Sequence, residues 1–307
     1  MVEFRRLAGD KVKIMAKLEK PSAIESLSEI VELSDGIMVA RGDLGVEMNP
    51  WDVPVIQKRI VETCKLMGKP VVIATQMMES MIDNPTPTRA EASDTATAIY
   101  DSSDAVMLSG ESAAGKYPVE SVTMQQLVIN KVETDVGFRA SLDRFAEQVH
   151  RQQEHQQYTI ASAITVAARQ VADVSSSKAI VAFTSSGGTA LRMAKIRPNV
   201  PILAICDDIR VARWMALVWG VYPIMKTPHT GEFDINTEID KACHAICDMG
   251  FANAMTDMLT IAAGLPWGSK GSTNILRVTS AAGTGFWFDE RGDLQKYAQG
   301  NGNTLFQ

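Results

Sequence analysis

The feature that most constrains this 307-residue chain is an apolar run that stops abruptly at charged and glycine residues, and that recurs. In Gly36 to Gly45 the order is Gly-Ile-Met-Val-Ala-Arg-Gly-Asp-Leu-Gly. Ile37 to Ala40 has the length and composition of a buried strand. Arg41-Gly42-Asp43 follows at once. A glycine there lets backbone approach a ligand closely, and a carboxylate beside it suits a hard cation such as Mg²⁺. Taken alone, such a stretch reads better as a strand followed by a polar turn than as a site. Three further runs share the design: Val12 to Ala16 before Lys17-Leu18-Glu19, Val71 to Ala74 before Thr75-Gln76, and Ala105 to Leu108 before Ser109-Gly110-Glu111.

Helical spacing separates the runs. Ile24, Leu27, Ile30 and Val31 mark one helix, and Val55, Ile56, Ile60, Val61, Cys64 and Leu66 another, with Gly68 placed as its C-terminal cap. Thr88-Arg89-Ala90-Glu91 has a capping-box pattern opening a helix to Tyr100, and Pro118 to Val132 predicts a further helix. Near-continuous apolar strands alternating with helices imply a parallel sheet, either covered on both faces or closed into a barrel. Periodicity does not separate the two. In both, chemistry collects at the carboxyl ends of the strands.

Asp135 to Gln157 is polar and helix-prone, and reads as a connection to a second domain. From Tyr158 a new alternation predicts a helix at Ile160–Val171. Strands follow at Ala179–Phe183, Ile202–Cys206, Val221–Met225, Met258–Ala263 and Ile275–Val278. Helices are expected from Ala190, at Val211–Val218 and around Ile235–Met249. From Gly283 onward the chain is a polar tail without strand pattern, its end expected to be disordered.

Composition narrows the function classes. The formal net charge is -6 with Lys and Arg scattered, which gives no nucleic-acid footprint. No apolar run approaches the roughly 20 residues of a membrane span, and the start lacks the apolar core of a secretory signal. Four cysteines in a chain this long fit a reducing, cytoplasmic setting and no disulfide framework. Cys243, His244 and Cys247 lie in a helical pattern with no second ligand pair, so buried small side chains are the better reading than a metal site.

At the strand ends, Lys17 and Glu19 share a face. A lysine beside a carboxylate suits phosphate-plus-metal chemistry, although a solvated ion pair has the same signature. Asp43 adds a second carboxylate from the neighbouring strand, and Thr75 a hydroxyl at the third. Ser109-Gly110-Glu111 either serves the site or turns the chain.

These residues resemble the pyruvate kinase family. The matching stretches are Ala16 to Pro21, Ser34 to Gly45, Gly68 to Met77, Pro87 to Glu91 and Val106 to Glu111, and the resemblance runs from about residue 1 to about 280. It implies a (β/α)₈ barrel with an inserted lid, followed by a C-terminal α/β domain. Here that means the second half of the barrel over 1–135, a helical connection over 136–157, the effector domain over 158–283 and a tail over 284–307. The implied reaction moves a phosphoryl group from phosphoenolpyruvate to ADP, giving pyruvate and ATP, with Mg²⁺ or Mn²⁺ and usually K⁺.

By the same resemblance Lys17 neutralises the phosphoryl group in flight and the enolate left behind. Glu19 and Asp43 ligate the divalent metal. The N–H groups of Gly42 and Asp43 clamp the substrate carboxylate, and Thr75 lies where the enolate is protonated. Thr184-Ser185-Ser186-Gly187-Gly188-Thr189, between strand and helix, matches the loop that holds a phosphate of a sugar-phosphate or nucleotide effector, with Arg192 supplying charge. The family's natural form is a cytoplasmic homo-oligomer. Two departures follow: Ser112 stands where threonine is common, and only four of eight barrel strands have a counterpart. The arginine on the substrate phosphate, the K⁺ site and most of the nucleotide site are then missing, so little activity is expected of this chain alone. The competing readings are a non-catalytic phosphometabolite-binding or assembly module, and another Mg²⁺-dependent barrel enzyme acting on pyruvate or its enol.

Overall fold

The computed structural model describes residues 1–9, 12–153, 159–226, 234–266, 271–289 and 291–296. Two compact units result: Met1–Gln157 with the short segments Ala194–Arg197 and Ala216–Trp219, and the remainder from Tyr158 onward.

The first unit runs α1 (Val2–Ala8), β1 (Met15–Leu18), α2 (Pro21–Glu25), α3 (Leu27–Leu33), β2 (Gly36–Ala40), α4 (Arg41–Glu47), α5 (Val53–Met67) and β3 (Val71–Ala74). A 3₁₀ turn at Glu79–Ile82 precedes α6 (Arg89–Tyr100), β4 (Ala105–Met107), α7 (Gly110–Ala113), α8 (Pro118–Glu133) and α9 (Val136–Gln153). The four strands are parallel and lie in sequence order, β1-β2-β3-β4. An unbroken order of this kind is how a barrel wall grows, whereas a doubly wound sheet reverses direction. One face of each strand, carrying Leu18, Ile37, Val39, Val71 and Ile73, packs with Leu27, Val31, Ile60 and Cys64 of the helices. Burying each such side chain is worth about 1.5–3 kcal/mol.

Local signals set the helix ends. Gly68 closes α5 in the left-handed conformation, φ 66°. Thr88 and Glu91 form a reciprocal capping box at the start of α6. Glu91 also accepts from Ser80 N at 2.7 Å and from the Ser80 hydroxyl, so one carboxylate ties α6 to the loop after β3.

Elsewhere in this unit Asp104 and Arg197 are buried together, 3.8 Å apart. Asp104 accepts from the N–H groups of Val71 and Trp219, and the Arg197 guanidinium donates to the carbonyls of Ser102 and Ser103 and stacks on Trp219. Each buried charge is thus paired and hydrogen-bonded, as low-dielectric burial requires.

The second unit holds α10 (Ile160–Val174), β5 (Ala179–Thr184), α11 (Gly188–Lys195), β6 (Ile202–Cys206), α12 (Ile209–Met215), β7 (Val221–Met225), α13 (Ile235–Asp248), β8 (Met258–Gly264) and β9 (Thr273–Ser280). Its sheet order is β7-β6-β5-β8-β9, parallel except for antiparallel β9. Residues Ile239, Ala242, Cys243 and Ile246 of α13 pack on the face carrying Val181, Leu203, Leu259 and Ile261. Cys243 is fully buried there, its thiol pushed up to about 12 by desolvation. Cys64, Cys206 and Cys247 are likewise free thiols.

Three expectations are corrected. The first strand begins at Met15, not Val12, because pairing begins at Gly36: Met15 lies opposite Gly36, and Val12 has no partner strand and is 55% exposed. The residues after β2 and β4 are not plain turns but the short helices α4 and α7. The polar tail contains strands, since β10 (Phe286–Phe288) pairs antiparallel with β11 (Leu294–Lys296). Alternation over three residues is too short to register as a pattern. The expected disorder of the tail's end, 297–307, lies outside the described residues.

Glu91 yields a pH test. Its pKa is lowered: burial pushes it up, but the bonds from Ser80 and Thr88 outweigh that. A depressed carboxyl stabilises the fold above its unfolded value of about 4.3, and that contribution is lost as pH falls through the lower folded value. Glu91→Gln should therefore melt below the wild type at pH 7, with the gap closing as pH drops below about 4. A gap independent of pH in thermal melts would contradict this.

Candidate active site and a second cleft

Register places the first site. Ala40 of β2 lies opposite Ala74 of β3, and Ala74 opposite Met107 of β4. Leu18 lies opposite Val39, so Glu19 follows β1 at the level of Ala40. The residues that change from apolar to polar after each strand therefore leave the sheet at one height.

Three of the expected residues come together. Lys17 Nζ is 2.6 Å from Glu19 Oε2 and 2.7 Å from Asp43 Oδ2. The hydrogen bond that Lys17 donates to Asp43, then the one it donates to Glu19, raises the Lys17 pKa, and Lys17 in turn lowers that of Asp43. All three side chains are about half exposed, so the cluster adds little stability. Carboxylates from two neighbouring strands nevertheless aim at one cation. That donor set fits a divalent ion: two protein oxygens, with water and substrate oxygens completing the shell, are how Mg²⁺ is commonly held. Among the described residues no group of three or more His, Cys, Asp or Glu is placed to hold a metal by itself.

Thr75 is also at this level, in an unusual conformation. Thr75 and Gln76 both have positive φ, 68° and 53°. A left-handed residue other than glycine costs about 1–2 kcal/mol, and for β-branched threonine it is a genuine outlier. The Thr75 hydroxyl donates to Ala74 O at 2.6 Å and accepts from Gly42 N at 2.8 Å. Two groups assigned by resemblance to the substrate, the Gly42 N–H and the Thr75 hydroxyl, thus satisfy one another here.

Residues to which the sequence assigned no definite role hold this loop. Arg41 is 8% exposed and donates to the carbonyls of Thr75 at 2.6 Å, Gln76 at 3.3 Å and Ala74 at 3.4 Å. Asp94 on α6 pairs with its other terminal nitrogen at 2.5 Å. Glu111, 2% exposed, accepts from Met78 N at 3.1 Å and Ser109 N at 2.7 Å. Its carboxylate turns into the fold, so Ser109-Gly110-Glu111 shapes the chain rather than joining Lys17. Arg41 had a visible signal, a guanidinium directly after an apolar strand. Asp94, an ordinary acidic residue inside a helix, had none.

The second cleft lies where the chain direction reverses. From β5 the chain steps to β6 and β7, then returns with β8 on the other side of β5. Ligands of open α/β sheets bind outside the carboxyl ends of the strands at such a point. About 60 Å³ of free space is lined here by Thr184, Ser185, Ser186, Gly188, Thr189 and Arg192, with Asp207 and Ser272 among the other walls. Thr184 Oγ1 accepts from Gly187 N at 2.9 Å. Gly187 has φ 85°, and a Cβ there would lie 2.7 Å from the Met215 methyl, so the loop needs glycine. Arg192 Nε is buried without a hydrogen-bond partner, and desolvation lowers the Arg192 pKa. An unsatisfied guanidinium nitrogen beside a hydroxyl-rich loop suits an anion.

Comparison with known proteins agrees with both halves. Residues 2–122 match the model of the pyruvate kinase barrel domain, and residues 162–279 that of the pyruvate kinase alpha/beta domain. A pyruvate kinase of Agrobacterium vitis is 44% identical over 281 residues, 92% of this chain and 57% of that protein. One from Methylorubrum extorquens is 43% identical over 278 residues, 91% of this chain and 56% of that protein. One from Geobacillus stearothermophilus is 44% identical over 268 residues, 87% of this chain and 44% of that protein. The chain spans about half the length of the curated relatives it matches. With sequential parallel strands that converge on Lys17, Glu19 and Asp43, and a switch-point cleft in the second unit, the chain belongs to the pyruvate kinase family.

Proposed function

We propose that this chain contributes to phosphoryl transfer from phosphoenolpyruvate to ADP, giving pyruvate and ATP. The observation that carries the reading is the Lys17 ammonium between Glu19 and Asp43 at the carboxyl ends of adjacent strands. Phosphoryl transfer is mostly positioning and charge stabilisation. Lys17, kept protonated by its two carboxylates, neutralises the phosphoryl group in passage and the enolate oxygen it leaves. Glu19 and Asp43 would hold a divalent cation, Mg²⁺ or Mn²⁺, which would supply further positive charge on the same oxygens. Substrate displaces the internal bond between Gly42 N–H and Thr75. Its carboxylate takes the amide, and the freed hydroxyl turns from Ala74 O toward the enolate carbon. ADP and ATP as co-substrates, dependence on K⁺, a cytoplasmic setting and homo-oligomeric assembly belong to the same proposal.

The second cleft is read as a phosphate site for a sugar-phosphate or nucleotide effector, supported by Arg192 Nε and the Thr184–Thr189 loop.

Three outcomes test these readings. Glu19→Gln and Asp43→Asn should each weaken Mn²⁺ binding at least tenfold, read by electron paramagnetic resonance of free Mn²⁺; unchanged binding rules the metal assignment out. In a coupled assay with phosphoenolpyruvate, ADP, Mg²⁺ and K⁺, this chain by itself should turn over at least tenfold below the median enzyme value of about 10 s⁻¹. The reason is that its described residues supply four strands where a barrel needs eight. Turnover within tenfold of the median would show that association of copies builds a working site. Finally, one member of a panel of sugar phosphates and nucleotides should raise the melting temperature of the second unit within the full chain, by mass action. Arg192→Met should remove the shift, and a panel without effect at millimolar concentration would refute the site.

A further inference from the structure

The strand-end loop after β3 is held in a conformation its own sequence opposes. Thr75 and Gln76 are consecutive left-handed residues, neither of them glycine, and such strain persists only where the surroundings over-determine it. Three successive carbonyls, those of Ala74, Thr75 and Gln76, all accept from the Arg41 guanidinium. Five donors in a rigid plane suit that task, which a single ammonium cannot match. The guanidinium is buried, and Gln57 and Asp94 take its remaining directions. Asp94 is 40% exposed on its side chain, so it orients Arg41 from the wet edge. Further along the same loop, Glu111 accepts from Met78 N and Thr95 Oγ1 donates to Met77 O.

Ser102 and Arg197 of the first unit also have positive φ, but only Thr75 and Gln76 are consecutive and directly follow a strand at the level of the site, which points to function rather than to folding. We infer that Arg41, oriented by Asp94, is a positioning residue that sets the Thr75 hydroxyl against the Gly42 amide, presetting the donor and acceptor that the three-carbon acid engages. The inference rests on the proposed phosphoryl-transfer site for its purpose, but its geometry is independent of the metal. Arg41 touches no reacting atom. It acts through the backbone of Thr75 and Gln76, on the residue whose Oγ1 receives the Gly42 N–H.

The test is amide hydrogen exchange of the full chain, resolved at Gly42 and Met78, whose N–H groups bond to Thr75 Oγ1 and Glu111. Arg41→Met should raise exchange at both amides at least tenfold, with Val71 to Ala74 and the second unit unchanged. Asp94→Asn, a milder change at a half-exposed carboxylate, should raise it in the same places by a smaller factor. Arg41→Lys should restore protection in part. Mn²⁺ affinity should stay within twofold of wild type in all three, because Glu19 and Asp43 are untouched. An equal rise across the whole first unit would mean Arg41 serves only global stability, and would overturn the inference. So would unchanged exchange at Gly42 in both Arg41→Met and Asp94→Asn. Loss of Mn²⁺ binding by the wild type would refute the proposed metal site and leave the exchange result to decide the brace.

Discussion

Parallel pairing of Gly36–Ala40 with its neighbours is the constraint on which the first unit depends. It fixes Ala40 level with Ala74, and Ala74 level with Met107, so three chain segments emerge at one height. Every polar group of the site is attached within three residues of that level. A slip of one residue between β1 and β2 would bring Lys17 onto the face of Ile37 and Val39, which it now opposes. The register is secured by burial of Ile37, Val39, Val71 and Ile73 on the helix-covered side, which leaves the strand ends free to carry polar groups.

Two kinds of charge then divide the labour. Lys17, Glu19 and Asp43 are half exposed and weakly stabilising, which leaves them free to exchange partners with a cation or a phosphate. Arg41 and Glu111 are buried, and each is committed to backbone groups of one loop. A buried charge with its partners satisfied fixes geometry, because removing any partner leaves an uncompensated group in a low dielectric. The responsive charges are thus mounted on a loop whose shape is set by unresponsive ones.

The second unit solves its problem differently. Its sheet reverses order beside β5, which opens a cleft without any insertion. Polarity there comes from backbone and hydroxyl groups of the Thr184–Thr189 loop, with the Arg192 guanidinium and the Asp207 carboxylate among the other described walls. Arg192 Nε is buried there without a partner, a condition an anion would relieve.

Much of this was legible in the residues. Apolar runs located β2, β3 and β6 closely, since a buried parallel strand is apolar along its whole length. Gly68 and the Thr88–Glu91 box marked helix ends because caps are local hydrogen bonds. The grouping of Lys17, Glu19, Asp43 and Thr75 at strand ends also followed from pattern. What the sequence by itself determined is what depends on near neighbours: element type, caps and the residue types at each strand end. Tertiary structure alone decided where β1 begins, since a strand starts where its partner does. It also decided the turning of Glu111 into the fold, the short β10–β11 pairing and the left-handed Thr75–Gln76 pair. Nothing in Thr-Gln favours that conformation. It exists because the fold brings Arg41, 34 residues before Thr75, to these carbonyls, and brings Asp94, 53 residues beyond Arg41, to its guanidinium.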